Sequence, residues 1–402
     1  MIGSLSIPDA REILAGASFS TAQVGRIGVE LEWISRRSGE PCVRPSLSSL
    51  HEAIELIGAL PFNGAISLEP GGQLELSSAP ASCLVECANN VRSEVDEIRQ
   101  AFSARGMHFA ASAYDHGAPE LIVPNPRYLA LQRHYERFGP AGALMMCNTA
   151  SVQVNVDAGD DSDGWTGRRR RWRLANALGP ILMAIFANSP GRSATGWRST
   201  RQVLRFHTDP TRTAPVRTSG DPVSEWVRYA LDANVVWIRD PESADTIVVP
   251  EALTMRQWLN GAGPRRPTAA DLIDHTKMLI PPVRARGYLE FRMIDAQSDD
   301  NWIVPAAFVG CLLDDSRASD QAVVVVRSTR ARHSLDEWRR AAKRGLDEDD
   351  LARAAMVLAR LVLEVLDRWK APPWLQGIVG EFVDRYTLKG RCPADLARRG
   401  CC

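Results

Sequence analysis

The sequence predicts an α+β fold: a large antiparallel sheet with helices on one face. Three observations carry this. Runs such as RIGVELE (26–32), ASVQVNVD (150–157) and GYLEFR (287–292) alternate apolar with polar or acidic residues, the period of a strand with one apolar face. The run ISLEPGGQLELSS (66–78) folds back at Pro-Gly-Gly, a short connection that joins antiparallel neighbours. Long segments of helical periodicity lie between and after these strands.

Taken in chain order, residues 7–20 read as a short helix and 26–33 as the first acidic strand. His51 to Leu60 is helix-like and closed by Pro61. The hairpin 65–78 follows. Residues 82–105 place Leu84, Val91, Val95 and Ile98 on one helical side, Gly106 suits the C-cap, and 107–113 reads as extended. The polar and aromatic stretch 124–139 reads as a loop entering a helix with Tyr128 and Tyr135. Ala150 to Val156 alternates as a strand, with Ser151, Gln153 and Asn155 on one face. Residues 168–187 form a helix with a basic first half and an apolar second half, and Gly191 to Arg201 a polar loop.

Beyond this, Glu225–Leu231 reads as helix, Val235–Trp237 and Thr246–Val249 as strands, and Met255–Asn260 as a helix ended by Gly261. NGAGPRRP (260–267) is a turn or loop, 271–279 a helix, 286–294 a strand and Val304–Leu313 an apolar helix. The last quarter is helical: Ser334 and Glu337 match a capping box, and Leu351–Trp369 carries a broad apolar face stopped by Pro372-Pro373. We read residues 1–402 as one domain, with a motif-bearing core over 20–310 and a helical part over 330–402.

Composition narrows the function classes. Lys plus Arg and Asp plus Glu are balanced at 48 each, which gives no footprint for a nucleic-acid or membrane partner. Arginine far outnumbers lysine, which fits planar recognition of phosphate or carboxylate and equally fits genomic base composition. Eight cysteines without a CxxC pair are too sparse for a disulfide scaffold; Cys83 and Cys87, four apart with no neighbouring histidine, make a poor zinc site. The simplest reading is a reducing cytoplasm. The first residues lack a signal-peptide pattern, and no run of eighteen apolar residues exists.

The chemistry lies in the acidic strands. Glu30 and Glu32 share a strand face, as do Gln153 and Asn155, and Glu290 and Arg292. Glu69 and Glu75 lie on opposite arms of the hairpin and converge if its register allows. Carboxylates gathered this way repel one another unless a cation compensates. Hard oxygen donors select Mg²⁺, with Mn²⁺ as the alternative. With metal and many arginines, the fitting ligand is a nucleoside triphosphate, although neither a Walker A motif nor a kinase signature occurs. Each element also has a plainer reading: a simple turn at Gly71-Gly72, a solvated face for Glu30 and Glu32, a polar strand surface at Gln153 and Asn155. Arg168–Arg171 reads as a solvated helix face. Co-occurrence favours the site.

At this point the residues resemble a family. GRIGVELE (25–32), SLEPGGQLELSSAP (67–80), ASVQVNVD (150–157), LGPILMAIFANSP (178–190), GWRSTRQ (196–202) and VRARGYLEFRMID (283–295) are similar to the plant-type and actinobacterial glutamate–cysteine ligases, and among these to the enzymes of ergothioneine biosynthesis. The resemblance spans about residues 20–310 and implies a glutamine synthetase/guanidine kinase-like catalytic core. It implies ATP and Mg²⁺ (or Mn²⁺), L-glutamate and L-cysteine as substrates, and a monomer or weak homodimer. By position it implies metal ligands at Glu30, Glu32, Glu69, Glu75 and Glu290, and catalytic roles for Glu69, Arg201, Glu290 and Arg292. It implies nucleotide contacts at Gln153, Asn155, Arg198 and Ser199, with Trp197 in the same loop. Ser77-Ser78 departs from the Ser-Gly of many relatives. A carboxylate–amine ligase with another amine, or a non-catalytic nucleotide-binding homologue, are the competing readings. The segments 115–127 and 191–220 are the expected lid loops.

Overall fold

A computed structural model describes residues 5–20, 24–40, 42–58, 62–192, 196–239, 247–329 and 334–397. Leu60, Pro61 and Thr246, at the ends of expected elements, lie outside these residues. In chain order the first half comprises α1 (Ile7–Ser18), β1 (Ile27–Trp33), β2 (Ser35–Arg37), α2 (Leu47–Gly58), β3 (Ala65–Leu68), β4 (Leu74–Ser77), α3 (Leu84–Ala104), β5 (Met107–Phe109), α4 (Pro126–Tyr135), α5 (Ala141–Asn148), β6 (Ser151–Asp157) and α6 (Arg168–Ile185). The second half comprises α7 (Thr200–His207), α8 (Pro210–Thr213), α9 (Pro222–Asp232), β7 (Ile238–Arg239), β8 (Ile247–Val248), α10 (Met255–Leu259), α11 (Ala269–Lys277), β9 (Val283–Ala285), β10 (Tyr288–Asp295), α12 (Ile303–Asp314), α13 (Ser316–Ser328), α14 (Leu335–Arg344), α15 (Asp349–Arg368), α16 (Pro373–Arg385) and α17 (Pro393–Leu396).

Six strands form one sheet in the order β3-β4-β1-β6-β10-β9, and every adjacent pair is antiparallel. Alternation decides what each face meets. Val29, Leu31, Val152, Val154, Val156, Leu289 and Phe291 are buried in the main core. That core is built with α3, α6 and α12, which pack against β1, β6 and β10. Glu30, Glu32, Gln153 and Arg292 leave the strands on the other side and line a cavity. The α+β sheet with packed helices is thus as expected. Short helices α4, α5 and α7 also wall part of the polar face, which the sequence reading did not anticipate.

Helix α12 is apolar all round and buried at every residue from Ile303 to Leu313, so it is a core helix rather than a surface one. Outside it lie α15, with Leu358, Val362 and Leu366 on its inward stripe, and α13 and α16. Helix α14 starts with the expected capping box: Ser334 Oγ accepts from Glu337 N and the Glu337 carboxylate from Ser334 N. It carries Trp338 into the core over Gly179 of α6, where any Cβ would run into the indole. No described helix is long and apolar enough to cross a membrane.

The local expectations failed where propensity gives little. The stretch 107–113 is a strand only to Phe109, and it pairs with β2 in a separate two-stranded sheet. Val235–Trp237 is irregular, and the strand begins at Ile238. Helices α5, α7, α8 and α13 and strand β9 were not anticipated. In particular 191–220 is no plain loop, since it contains α7 and α8. Helix α7 is strongly two-faced but only eight residues long, and its start is set by Ser199 accepting from Gln202 N at 3.4 Å.

Candidate active site

The register of the sheet places the acidic residues side by side. Glu32 pairs across from Glu75, Glu30 from Ser77 on one side and Gln153 on the other, and Asn155 from Glu290. Glu69 comes from the β3–β4 turn. That turn is closed twice, by Gly72 N donating to Glu69 O and Glu69 N to Gln73 O, both at 2.8 Å. The buried Gln73 side chain then ties the turn to its surroundings: it accepts from Gly71 N at 2.9 Å and donates to Met146 O at 3.1 Å and Thr149 O at 2.8 Å. A Cβ at Gly71 would strike the Cys147 backbone, and Gly72 has φ +77°, so both glycines are needed here. From outside, Ile122 N and Val123 N donate to Pro70 O, which straps the 115–125 connection across the turn.

The resulting cavity has a volume of about 470 Å³. Its charge is divided. On one side stand Glu30, Glu32, Glu69 and Glu75, with Arg127 of α4 acting on Glu69; on the other stand Arg201, Arg205, Lys277, Arg284, Arg286 and Arg292, with Gln153 between them. Tyr128, Leu131, Tyr135, Met145 and Met146 of α4 and α5 add an apolar wall.

The acidic side is electrostatically unsatisfied. Burial, and then the neighbouring Glu75 and Glu32, hold the Glu69 carboxyl well above its ordinary range. Burial, then Glu32 and Glu30, push Glu75 up to about 7, even though it accepts from Ser77 Oγ at 3.1 Å and Ser67 Oγ at 3.3 Å. Glu30 is raised by burial and by Glu290. Glu32 is fixed by the sheet, accepting from Ser151 N at 2.8 Å and Gln153 Nε2 at 2.9 Å.

The basic side is built on a β-bulge. Pairing of β10 with β6 slips between Phe291 and Ile294, so Arg292 sits where the ladder is broken. Its side chain donates to Gln153 Oε1 and lies 3.0 Å from Glu290. Its carbonyl oxygen, freed from the ladder, accepts from Arg201 at 3.0 Å and Arg205 at 3.1 Å. Arg201 and Arg205 are one helical turn apart on α7, and both are buried. Burial lowers the pKa of each, most for Arg205, which also faces Arg201 and Arg292.

Of the expected residues, Glu30, Glu32, Glu69, Glu75, Gln153, Arg201 and Arg292 line this cavity together. Asn155 does not line it, but donates to Glu30 at 3.2 Å and has a buried Oδ1 without a partner. Glu290 is fully buried behind the wall. Burial alone would raise its pKa, but Arg284 and Arg292 overcome this and bring it to about 2. In this structure its carboxylate pairs with guanidinium groups. Arg198 and Ser199 stand outside the cavity. Arg198 points to the C-terminal helices, where it pairs with Asp347 at 2.8 Å and with Asp395. Ser199 is buried and donates to Asp295 at 3.0 Å while capping α7. Trp197 packs against the core under Lys343. Neither Arg198 nor Ser199 lines the cavity.

Arg205, Arg284, Tyr128 and Arg127 were missed. For Arg205 the signal existed: it is four residues after Arg201, a spacing that matters only once 200–207 is seen as helix.

The acidic side fits a divalent cation by the chemistry of its donors: hard oxygens, with the Glu69 and Glu75 carboxyls raised by burial and mutual repulsion, beside an unpaired Asn155 oxygen. Among the described residues no three His, Cys, Asp or Glu side chains already form a closed cation cage.

The family described as Glutamate-cysteine ligase family 2 (GCS2) matches residues 26–399. The chain is 36% identical over 400 residues to the "Glutamate--cysteine ligase EgtA" of Mycolicibacterium smegmatis, covering 97% of this chain and 90% of that one. It is 35% identical over 396 residues to the protein of the same name from Mycobacterium tuberculosis, covering 96% and 88%. Among solved structures, the glutamate–cysteine ligase of Francisella tularensis in complex with AMP superposes with a TM-score of 0.51 at 12% identity, covering 94% of this chain and 84% of that one, a likeness of fold.

Proposed function

The chain belongs to the glutamate–cysteine ligase family 2, and from that premise we propose that it is an ATP-dependent ligase joining L-glutamate to L-cysteine as γ-glutamylcysteine, for ergothioneine biosynthesis. The observation that carries this is one cavity lined by four carboxylates of the β3–β4 hairpin and β1 and by guanidinium groups of α7, β9 and β10. A ligase of this kind must hold a cationic amine, a divalent metal and several anionic groups within one pocket, and this arrangement provides for each.

A carboxylate does not acylate an amine at neutral pH unless it is activated. In the proposed reaction a γ-carboxylate oxygen of glutamate attacks the γ-phosphorus of ATP, and ADP leaves. Arg292, Arg201 and Arg205, which line the cavity, would hold the transferring phosphoryl group and the substrate carboxylates. The cysteine amine, as its free base, then attacks the acyl carbon of γ-glutamyl phosphate, and the C–O bond to phosphate breaks. Fixed guanidinium groups facing the departing charge are worth on the order of 3 kcal/mol each. Glu30, Glu32, Glu69 and Glu75 would hold Mg²⁺, or Mn²⁺. Such ions neutralise phosphate charge. Glu290 acts by positioning Arg284 and Arg292. We place the enzyme in the cytoplasm, as a monomer or weak homodimer.

The test is incubation with ATP, Mg²⁺ and glutamate, with and without cysteine, and with a panel of other small amines, products being read by mass. ADP and γ-glutamylcysteine formed together support the proposal; a different amide, or binding of ATP without turnover, overturns it. Glu69→Ala should abolish product formation while circular dichroism stays that of the wild type.

A further inference from the structure

A second, larger hollow lies away from the catalytic cavity. It has a volume of about 710 Å³ and runs between the first half of α6, helix α13 and the segment 215–219. Its floor is apolar, formed by Leu174, Ala177, Val216, Val323 and Val326. Its rim carries five arginines, at 169, 170, 173, 217 and 327, against a single carboxylate, Asp163.

The rim is only partly neutralised. Arg169 reaches Asp221 at a loose 3.7 Å, and Arg170 pairs with Asp320 on the exposed side of α13. Arg173 is spent on structure: it donates to Thr218 O at 3.1 Å and Ser219 O at 3.3 Å, fixing the wall formed by 215–219. Among the described residues, Arg217 and Arg327 have no acidic partner, and both stand exposed over the apolar floor. Helix α6 separates this hollow from the sheet, because its other side packs on β10.

We propose that this hollow is a second binding site, for a small amphipathic organic anion: one carboxylate, phosphate or sulfonate head on an aliphatic or aromatic body. Planar guanidinium forks recognise such heads and are weakly hydrated, so they give up water readily. A bare inorganic anion would leave the valine-lined floor in water, and a neutral apolar molecule would leave Arg217 and Arg327 uncompensated. The volume falls within the range of roughly 300–1,000 Å³ of organic ligand sites.

The test uses the full chain and 1-anilinonaphthalene-8-sulfonate as the probe, followed by fluorescence. Saturable one-to-one binding is expected, unaffected by ATP plus glutamate. In Arg217→Glu/Arg327→Glu affinity should fall at least tenfold while ligase turnover stays within twofold. The milder Arg217→Gln/Arg327→Gln pair should move the same way by a smaller factor. Octanoate should compete, whereas acetate and octan-1-ol at equal concentration should not. Unchanged affinity in both double variants, displacement by ATP, or competition by acetate as strong as by octanoate would each overturn the proposal.

Discussion

The Glu290 carboxylate lies 3.0 Å from the Arg292 guanidinium, two residues away across the start of a strand bulge. Arg284 holds the other oxygen at 2.7 Å. Glu290 and Arg284 are buried and Arg292 is half-buried, and Glu290 is the carboxylate in contact with both guanidinium groups. Glu290→Gln leaves the buried Arg284 without its partner, which costs roughly 3–5 kcal/mol of stability. Turnover should drop at least a hundredfold, since Arg292 loses its anchor; urea denaturation and rate assays check the two effects separately.

The same pair sets an acid limit. The folded pKa of Glu290 is lowered from 4.5 to about 2, so its contribution is complete above pH 4.5 and disappears as pH falls through 2. Denaturation midpoints of wild type and Glu290→Gln should converge as pH drops from 4.5 towards 2. A constant gap over that window would contradict the ion-pair account.

On the acidic side the sign is opposite. Glu75 has a folded pKa of about 7, above its ordinary 4.5, so its contribution is present below pH 4.5 and is lost as pH rises through 7. Without divalent metal, the melting temperature should fall between pH 5 and 8, and Mg²⁺ should restore it at pH 8. Binding of Mg²⁺ near pH 7 should release protons, measurable by calorimetry in buffers of different ionisation enthalpy. Glu32→Gln, which disturbs the acceptor of Ser151 N and Gln153, should weaken the apparent Mg²⁺ affinity.

Arg198 offers a negative control. It pairs with Asp347 and Asp395, not with the cavity, so Arg198→Ala should leave the KM for ATP within twofold. The expected loss is in stability, by about 1 kcal/mol or less, because both pairs are partly exposed. A tenfold rise in the KM for ATP would restore the residue to the nucleotide site.

Gly179→Ala tests the junction of α6 and α14. The added methyl meets the Trp338 ring in a packed core, and overpacking of this kind costs about 1–3 kcal/mol. Thermal melting should show the loss, with little change in KM for any substrate.

Strand faces were legible because alternation with period two is local: Glu30 and Glu32, or Gln153 and Asn155, declare a shared side from spacing alone. The hairpin at Pro70-Gly71-Gly72 was legible for the same reason. What could not be read was which partner each side chain meets. Glu290 looks like any strand carboxylate until β9 brings Arg284 beside it. Arg198 and Ser199 stand in a matched motif, yet the C-terminal helices, almost 150 residues later in the chain, draw Arg198 away. Arg201 and Arg205 form a pair only because Ser199 starts a helix in a segment whose composition reads as loop.

Helix α12, enclosed from Ile303 to Leu313, joins β1 and β6 on one side to α13, α15 and α16 on the other. A close-packed rod of this kind has no slack in which to absorb a displacement. The substrate-facing wall therefore owes its stiffness to the last quarter of the chain, whose described residues supply no side chain to that wall. Damage far from the reacting groups, in the outer helices, would reach them as a mechanical fault and would register first as misaligned carboxylates rather than as an unfolded protein.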